Sequence, residues 1–341
     1  MKKNSLVFLL LAIGSIVLFI LDLLIGSVKI PFESFIDIFI NGNTESVYYT
    51  TIMDFRLPKA VVAVLAGAAL SVSGLQMQTI FRNPLAGPYI LGISSGAGLG
   101  VALLVLGFPG ILGLGYAILY SQWAIALAAW IGAALILVLV MIISIRVRDI
   151  MTILIFGIMF GSAASALITI MQYFGADSSV KAFVIWTMGN LGGVTRQQLW
   201  VLLPGVSLGL ILALILPKNL NALLLGENYA RTMGLNVMRT RIVVFISTSL
   251  LAGSVTAFCG PIGFIGIAIP HIARMLFQSA NHFLLIPGSI LLGMNVLLLS
   301  DIISQMPGNS HVLPINSITA LIGIPIVIWI VFRNQKMSSL V

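Results

Sequence analysis

Charge is what this sequence has least of. Among 341 residues, 17 are Lys or Arg and 9 are Asp or Glu, 8% in all, where a soluble protein carries about 25%. A chain of this length with so few charges cannot coat the surface of one or two water-soluble domains. Cysteine is almost absent: with Cys259 alone, no intrachain disulfide can form. Nucleotide and metal patterns are missing as well. There is no G-x-x-x-x-G-K-[ST] loop to cradle phosphates, and the run Gly96-Ala97-Gly98-Leu99-Gly100 lies inside an apolar helix with no strand before it. His271 has no H-E-x-x-H partner. These absences exclude a disordered chain, a nucleic-acid-binding domain and a soluble enzyme, and they imply no cofactor. What is abundant is hydrocarbon: 60% of the residues are hydrophobic and the mean hydropathy is +1.15. The chain reads as an all-α, polytopic membrane protein.

A helix needs about 20 apolar residues to cross a bilayer. Polar, Pro and Gly breaks divide the apolar runs into about ten spans, near 5–27, 58–81, 88–107, 117–145, 150–174, 196–216, 241–259, 263–277, 284–303 and 314–332. The eighth is short, interrupted by Pro261 and Pro270. The first follows Lys2-Lys3 as a signal peptide would, but no small-residue cleavage site follows it, so it reads as a retained span. Ten spans put both termini on one side. Of the 17 basic residues, 12 fall in the loops of that side and 5 in the others, which makes that side cytoplasmic by the positive-inside rule. The net charge of +8 is therefore a topology signal rather than a footprint for a polyanion.

None of the nine carboxylates lies in the middle of an expected span. Asp22 and Asp301 fall near outer ends and Asp149 at an inner boundary, while His271, His282 and His311 lie at or near ends or loops. A transporter driven by a proton or sodium gradient normally needs such a group at mid-membrane, or unwound helices that coordinate the ion. That reading is the alternative, and a passive channel or membrane scaffold is a third. If the protein pumps uphill, another subunit supplies the energy. The spans are rich instead in small residues at four-residue spacing, Ala63, Gly67 and Ser71 and then Gly92, Gly96 and Gly100. Such faces suit close helix packing, within one subunit or between two.

Three polar segments stand out. Arg56-Leu57-Pro58-Lys59 places two cations at the outer mouth of span 2, which fits docking of an acidic external partner or simple snorkelling. Phe81-Arg82-Asn83-Pro84-Leu85-Ala86-Gly87-Pro88 forces a non-helical turn at the inner end, either a tight connection or a constriction on a pathway. Lys218 to Arg241 is the one long inner loop. Leu220, Leu223 and Leu224 form one apolar face, and Glu227 to Met233 forms a second short helix with Gly234 as its C-cap. Such a pair suits a protein partner, or rests on lipid headgroups.

Together these residues resemble the FecCD family, the permease subunits of type II ATP-binding-cassette importers for iron siderophores, haem and cobalamin. The matching stretches are R-L-P-K at 56–59, R-N-P-L-A-G-P-Y-I-L-G at 82–92, W-T-M-G-N-L-G-G-V at 186–194, L-G-E-N-Y-A-R-T-M-G at 225–234, G-P-I-G-F-I-G-I-A-I-P-H-I-A-R at 260–274 and L-P-I-N-S-I-T-A-L-I-G-I-P at 313–325. The resemblance implies one permease domain over 1–341, a fold like that of a vitamin B12 importer permease, and a homodimer in a bacterial inner membrane. It also implies two ATPase partners on the cytoplasmic side and a periplasmic or lipid-anchored substrate-binding protein outside. By the same resemblance Arg56 and Lys59 dock the binding protein, Asn83 and Leu85 lie at the cytoplasmic gate, and Gly226, Glu227, Ala230, Arg231 and Gly234 belong to paired helices that couple to the ATPase. Two departures stand against the pattern. Ser304-Gln305 replaces a basic docking residue of some members, and Gly87 replaces a frequent acid.

Overall fold

The computed structural model describes residues 2–26, 28–42, 44, 46–107, 121–147, 149–305 and 312–338. Arg148, His311 and the first residues of the expected fourth span lie outside them. The described residues form helices and no strands. In chain order these are α1 (Lys2–Leu24), α2 (Phe32–Ile40), α3 (Thr51–Phe81), α4 (Ile93–Gly107), α5 (Gln122–Arg146), α6 (Ile150–Phe174) and α7 (Asp177–Thr187). Then come α8 (Arg196–Ile215), α9 (Pro217–Leu224), α10 (Glu227–Thr232), α11 (Val237–Cys259), α12 (Ile265–Phe277), α13 (His282–Ser304) and α14 (Ile315–Ser338). Seven of them (α1, α3, α5, α6, α8, α11 and α13) are long and apolar enough to cross a membrane. Shorter apolar helices at α4, α12 and α14 occupy the other three expected spans.

The helix starts follow from their caps. Ser121, Thr195, Asn236 and Asn281 each accept a bond from a first-turn amide, and Thr195 with Gln198 completes a capping box. Asp149 caps α6 by accepting from the Thr152 hydroxyl at 2.6 Å and the Thr152 amide at 2.8 Å. Those bonds, the hydroxyl's first, hold its carboxyl below the usual range. The cap therefore contributes fully above the ordinary carboxylate pKa and is lost as pH falls through the lowered one.

The bundle is built around α3. Within its most apolar window 83% of the residues are buried, against 17% in α1 and in α6. Small residues make this possible, since helix association in lipid depends on van der Waals packing. A Cβ on Gly67 would overlap the carbonyl of Gly293 in α13, and a Cβ on Gly74 would overlap that of Gly266 in α12. Ser71 donates to the Ser289 carbonyl at 2.8 Å across the α3–α13 seam. Gly96 and Gly100 meet Gly132 and Ala128 of α5 in the same way. Both small-residue stripes are thus packing seams within the chain.

Two stretches depart from continuous spans. Residues 88–92 begin with a 3-10 turn, Pro88–Leu91, ended by Gly92 at φ 79°, so α4 starts five residues later than the apolar run implies. Before α12, residues 260–264 are irregular, and both Gly260 and Phe264 have positive φ. Pro270 lies within α12 rather than breaking it.

Replacing Gly67 with Val should push α3 off α13, lowering stability by about 1–3 kcal/mol or preventing folding. Gly253→Ala should be tolerated, because a Cβ there meets nothing within 4 Å. Thermal denaturation of the detergent-solubilised protein separates the two, and equal melting temperatures would contradict the packing account.

Candidate docking, gate and coupling regions

At the end of the bundle where α1 finishes and α3 begins, Arg56 is buried. Its guanidinium donates to the carbonyls of Leu23 at 2.8 Å and Leu24 at 2.7 Å, and to that of Val28. The first two are carbonyls left unpaired where α1 ends, and a cation is favoured at that pole of the helix dipole. Lys59, one turn along α3, forms an ion pair with Asp301 of α13 at 2.7 Å. Gln305 joins the two acids, donating to Asp22 at 2.9 Å and to Asp301 at 3.0 Å. Arg56, Lys59, Asp301, Ser304 and Gln305 line a cavity of about 580 Å³, closed on its other wall by the 188–192 turn and the start of α14. Both cations expected to meet a partner are therefore engaged inside the chain. The sequence places Asp22 and Asp301 near outer span ends but does not pair them with these cations, although polar residues at one depth near three span ends are a usable signal.

At the opposite end of α3, Arg82 takes a left-handed conformation (φ 47°) and the chain turns back into the bundle. Asn83 organises the turn: its side-chain oxygen accepts from the Leu85 amide at 2.9 Å and its carbonyl from the Ala86 amide at 3.0 Å. Leu85 projects outward, about half exposed. His271 Nε2 lies 2.7 Å from the Pro84 carbonyl and so donates to it. Gln78 of α3 donates to the Ile267 carbonyl at 3.1 Å and accepts from Arg274 at 2.6 Å, holding α12 against the same turn. Deeper in, the Tyr89 hydroxyl accepts from the Ile262 amide at 3.2 Å, joining the two irregular stretches. The Gly263 amide is paired with Asn316 at 2.9 Å, and the Asn190 amide with the Cys259 carbonyl at 2.8 Å. Irregular backbone at membrane depth is tolerated only with such partners.

Beside this turn lie α9 and α10. Leu220 and Leu223 face inward, whereas Leu224, expected on the same face, is about half exposed. Gly226 at φ 117° redirects the chain into α10. There Glu227 pairs with the buried Arg241 and, at 3.8 Å, with the exposed Arg231. Ala230 is fully buried. Gly234 at φ 83° closes the helix: its amide donates to the Arg231 carbonyl and the Leu235 amide to that of Ala230, both at 3.0 Å, a Schellman motif. The outcome is a rigid platform with apolar side chains turned outward, among them Leu225 (65% exposed), Tyr229 (54%) and Met233 (61%).

A bundle of membrane-length helices with re-entrant breaks at depth, and a rigid platform at one end, defines a polytopic membrane transport protein. The chain belongs to the FecCD transport family, whose family model matches residues 13–333. It is 37% identical over 284 residues to the vitamin B12 import system permease protein BtuC of Klebsiella pneumoniae, covering 83% of each chain. It is 36% identical over 285 residues to BtuC of Salmonella paratyphi A, covering 84% of each. Among solved structures, an inward-facing metal-chelate type ABC transporter superposes with a TM-score of 0.81 at 26% identity, covering 96% of this chain and 99% of that one. PsaBC from Streptococcus pneumoniae shares the fold, with a TM-score of 0.51 at 19% identity, covering 85% of this chain and 93% of that one.

Because Arg56 bonds three carbonyls, Arg56→Ala should destabilise the isolated permease by about 1.5–3 kcal/mol, and Arg56→Lys should rescue little, an ammonium lacking the planar fork. An unchanged melting temperature for Arg56→Ala would contradict the capping role.

Proposed function

We propose that this chain is the membrane subunit of an ATP-driven importer for iron-siderophore, haem or cobalamin-type chelates. The whole chain acts as one permease domain and pairs with a second copy around a shared path. The family and the BtuC relatives support the importer reading. The exposed middle of α6 supports the pairing. Ser162, Ser165 and Thr169 stand exposed among Ala163 and Ala166 in a span of 25 residues. Ser162 and Thr169 bond only back along their own helix, to Ile158 and Ser165. A stripe of hydroxyls and small side chains suits a second helix or a watered path better than lipid tails.

The α9–α10 platform carries the reading of how the importer is driven. The loop-charge bias puts this platform and both termini in the cytoplasm of a bacterium with the chain crossing its inner membrane. There Gly226 and Gly234 shape the platform, Ala230 seats it, and Glu227 and Arg231 present charge beside its apolar face. Two ATPase subunits of a homodimeric complex would dock on it. Asn83 and Leu85 form the cytoplasmic gate next to it. The substrate-binding protein docks at the other end, around Arg56 and Lys59. An acidic side chain of that partner competes there with Asp301 for Lys59. The buried acids Asp22 and Asp301 sit at helix ends, tied to Lys59 and Gln305, and so form no mid-membrane ion relay.

Leu225→Asp and, at the exposed Arg231, Arg231→Glu should each weaken retention of the ATPase by about tenfold or more in co-purification while the permease stays folded. Full retention in both would sink the coupling role.

A further inference from the structure

His282 is an imidazole with a bond on each side, and it stands where three elements meet. It is the first residue of α13 and is 1% exposed. Its Nδ1 lies 2.8 Å from the side-chain oxygen of Asn221 in α9, and its Nε2 lies 2.8 Å from the Thr79 hydroxyl in the last turn of α3. The Asn221 amide cannot be turned over. Its oxygen also accepts from the His282 backbone amide at 2.9 Å, and its nitrogen donates at 2.8 Å to the Asn281 side-chain oxygen, itself held by the Phe283 amide at 3.0 Å. With an acceptor fixed opposite Nδ1, that nitrogen carries the proton, and in the neutral ring Nε2 accepts from the Thr79 hydroxyl, whose single proton it shares with the Leu75 carbonyl 2.9 Å away. A second tie runs beside the first: Arg82 donates to the Leu223 carbonyl of α9 at 3.1 Å. Thr79 lies in the last turn of α3 and Arg82 is its C-cap, so both ties hold that end of the helix immediately before Asn83.

We propose that His282 is a positioning residue that transmits displacement of α9 to the 83–85 turn. This deepens the coupling reading above and rests on it. Higher up, α3 is locked to α13 at Gly67 and Gly293, so a push on α9 is taken up in the last turn of α3. The far side of the turn is held to α12 by His271. An imidazole suits the task because its two nitrogens face opposite ways across a rigid ring, one toward α9 and one toward α3.

The test uses the permease assembled with its ATPase in lipid nanodiscs, with a reporter thiol at Leu85→Cys in a Cys259→Ala background. The maleimide-labelling rate is measured with and without ATP and vanadate. His282→Ala, Asn221→Ala and Thr79→Val should each shrink the nucleotide-driven change in rate by about threefold or more, with the ATPase still retained. Asn221→Ala combined with Thr79→Val should be no worse than either alone, since both cut one chain. Thr79→Val keeps the side-chain shape, so it decides the matter should His282→Ala fail to fold. A full nucleotide response in Thr79→Val and Asn221→Ala would overturn the relay while leaving the coupling platform standing. No response in the reporter parent, with the ATPase bound, would instead remove the gate reading and the relay with it.

Discussion

Two glycine pairs, Gly67 with Gly293 and Gly74 with Gly266, bring the backbones of α3, α13 and α12 into contact, and the rest of the molecule is positioned by that contact. Within a bilayer there is no water to drive helices together, so closeness of approach has to supply the attraction. Because α3 is held in its middle, the groups at its two ends are placed from there. One end carries Arg56 and Lys59 against α1 and α13. The other carries Gln78, Thr79 and Arg82 against α12, α13 and α9. Regions at opposite faces are thus extensions of one helix.

The second constraint is that broken backbone inside the bundle needs partners. Residues 82–92 and 260–264 enter from opposite ends and are joined by Tyr89, whose hydroxyl meets the Ile262 amide. Asn83, His271 and Asn316 pair further groups of the same stretches. These polar side chains therefore serve the backbone of the two broken stretches.

Much of this was legible in the sequence. Apolar runs located the seven long and three shorter hydrophobic helices found among the described residues, and the Glu227 start with the Gly234 stop outlined α10 because dipole and cap rules act within a few residues. The Pro84–Pro88 pair correctly announced an irregular turn. What escaped was long-range. Arg56 bonds to carbonyls 28 to 33 positions away, and a backbone acceptor has no sequence signature. Gln305 reaches Asp22 across 283 positions, and His282 reaches Thr79 across 203. The spacing of Leu220, Leu223 and Leu224 puts all three on one apolar face, but only the first two are covered by the bundle, because what packs against a face is set by the rest of the chain. The apolar run at 88–92 looked helical because hydropathy does not distinguish a 3-10 turn from an α-helix.

The central claim is that this chain provides a route and not a motor. Uptake into proteoliposomes tests it most directly, using the substrate that the cognate binding protein retains on purification. With the ATPase and binding protein present, accumulation should require ATP and should stop without it even under an imposed proton or sodium gradient. Accumulation by the permease alone, driven by either gradient, would contradict the account.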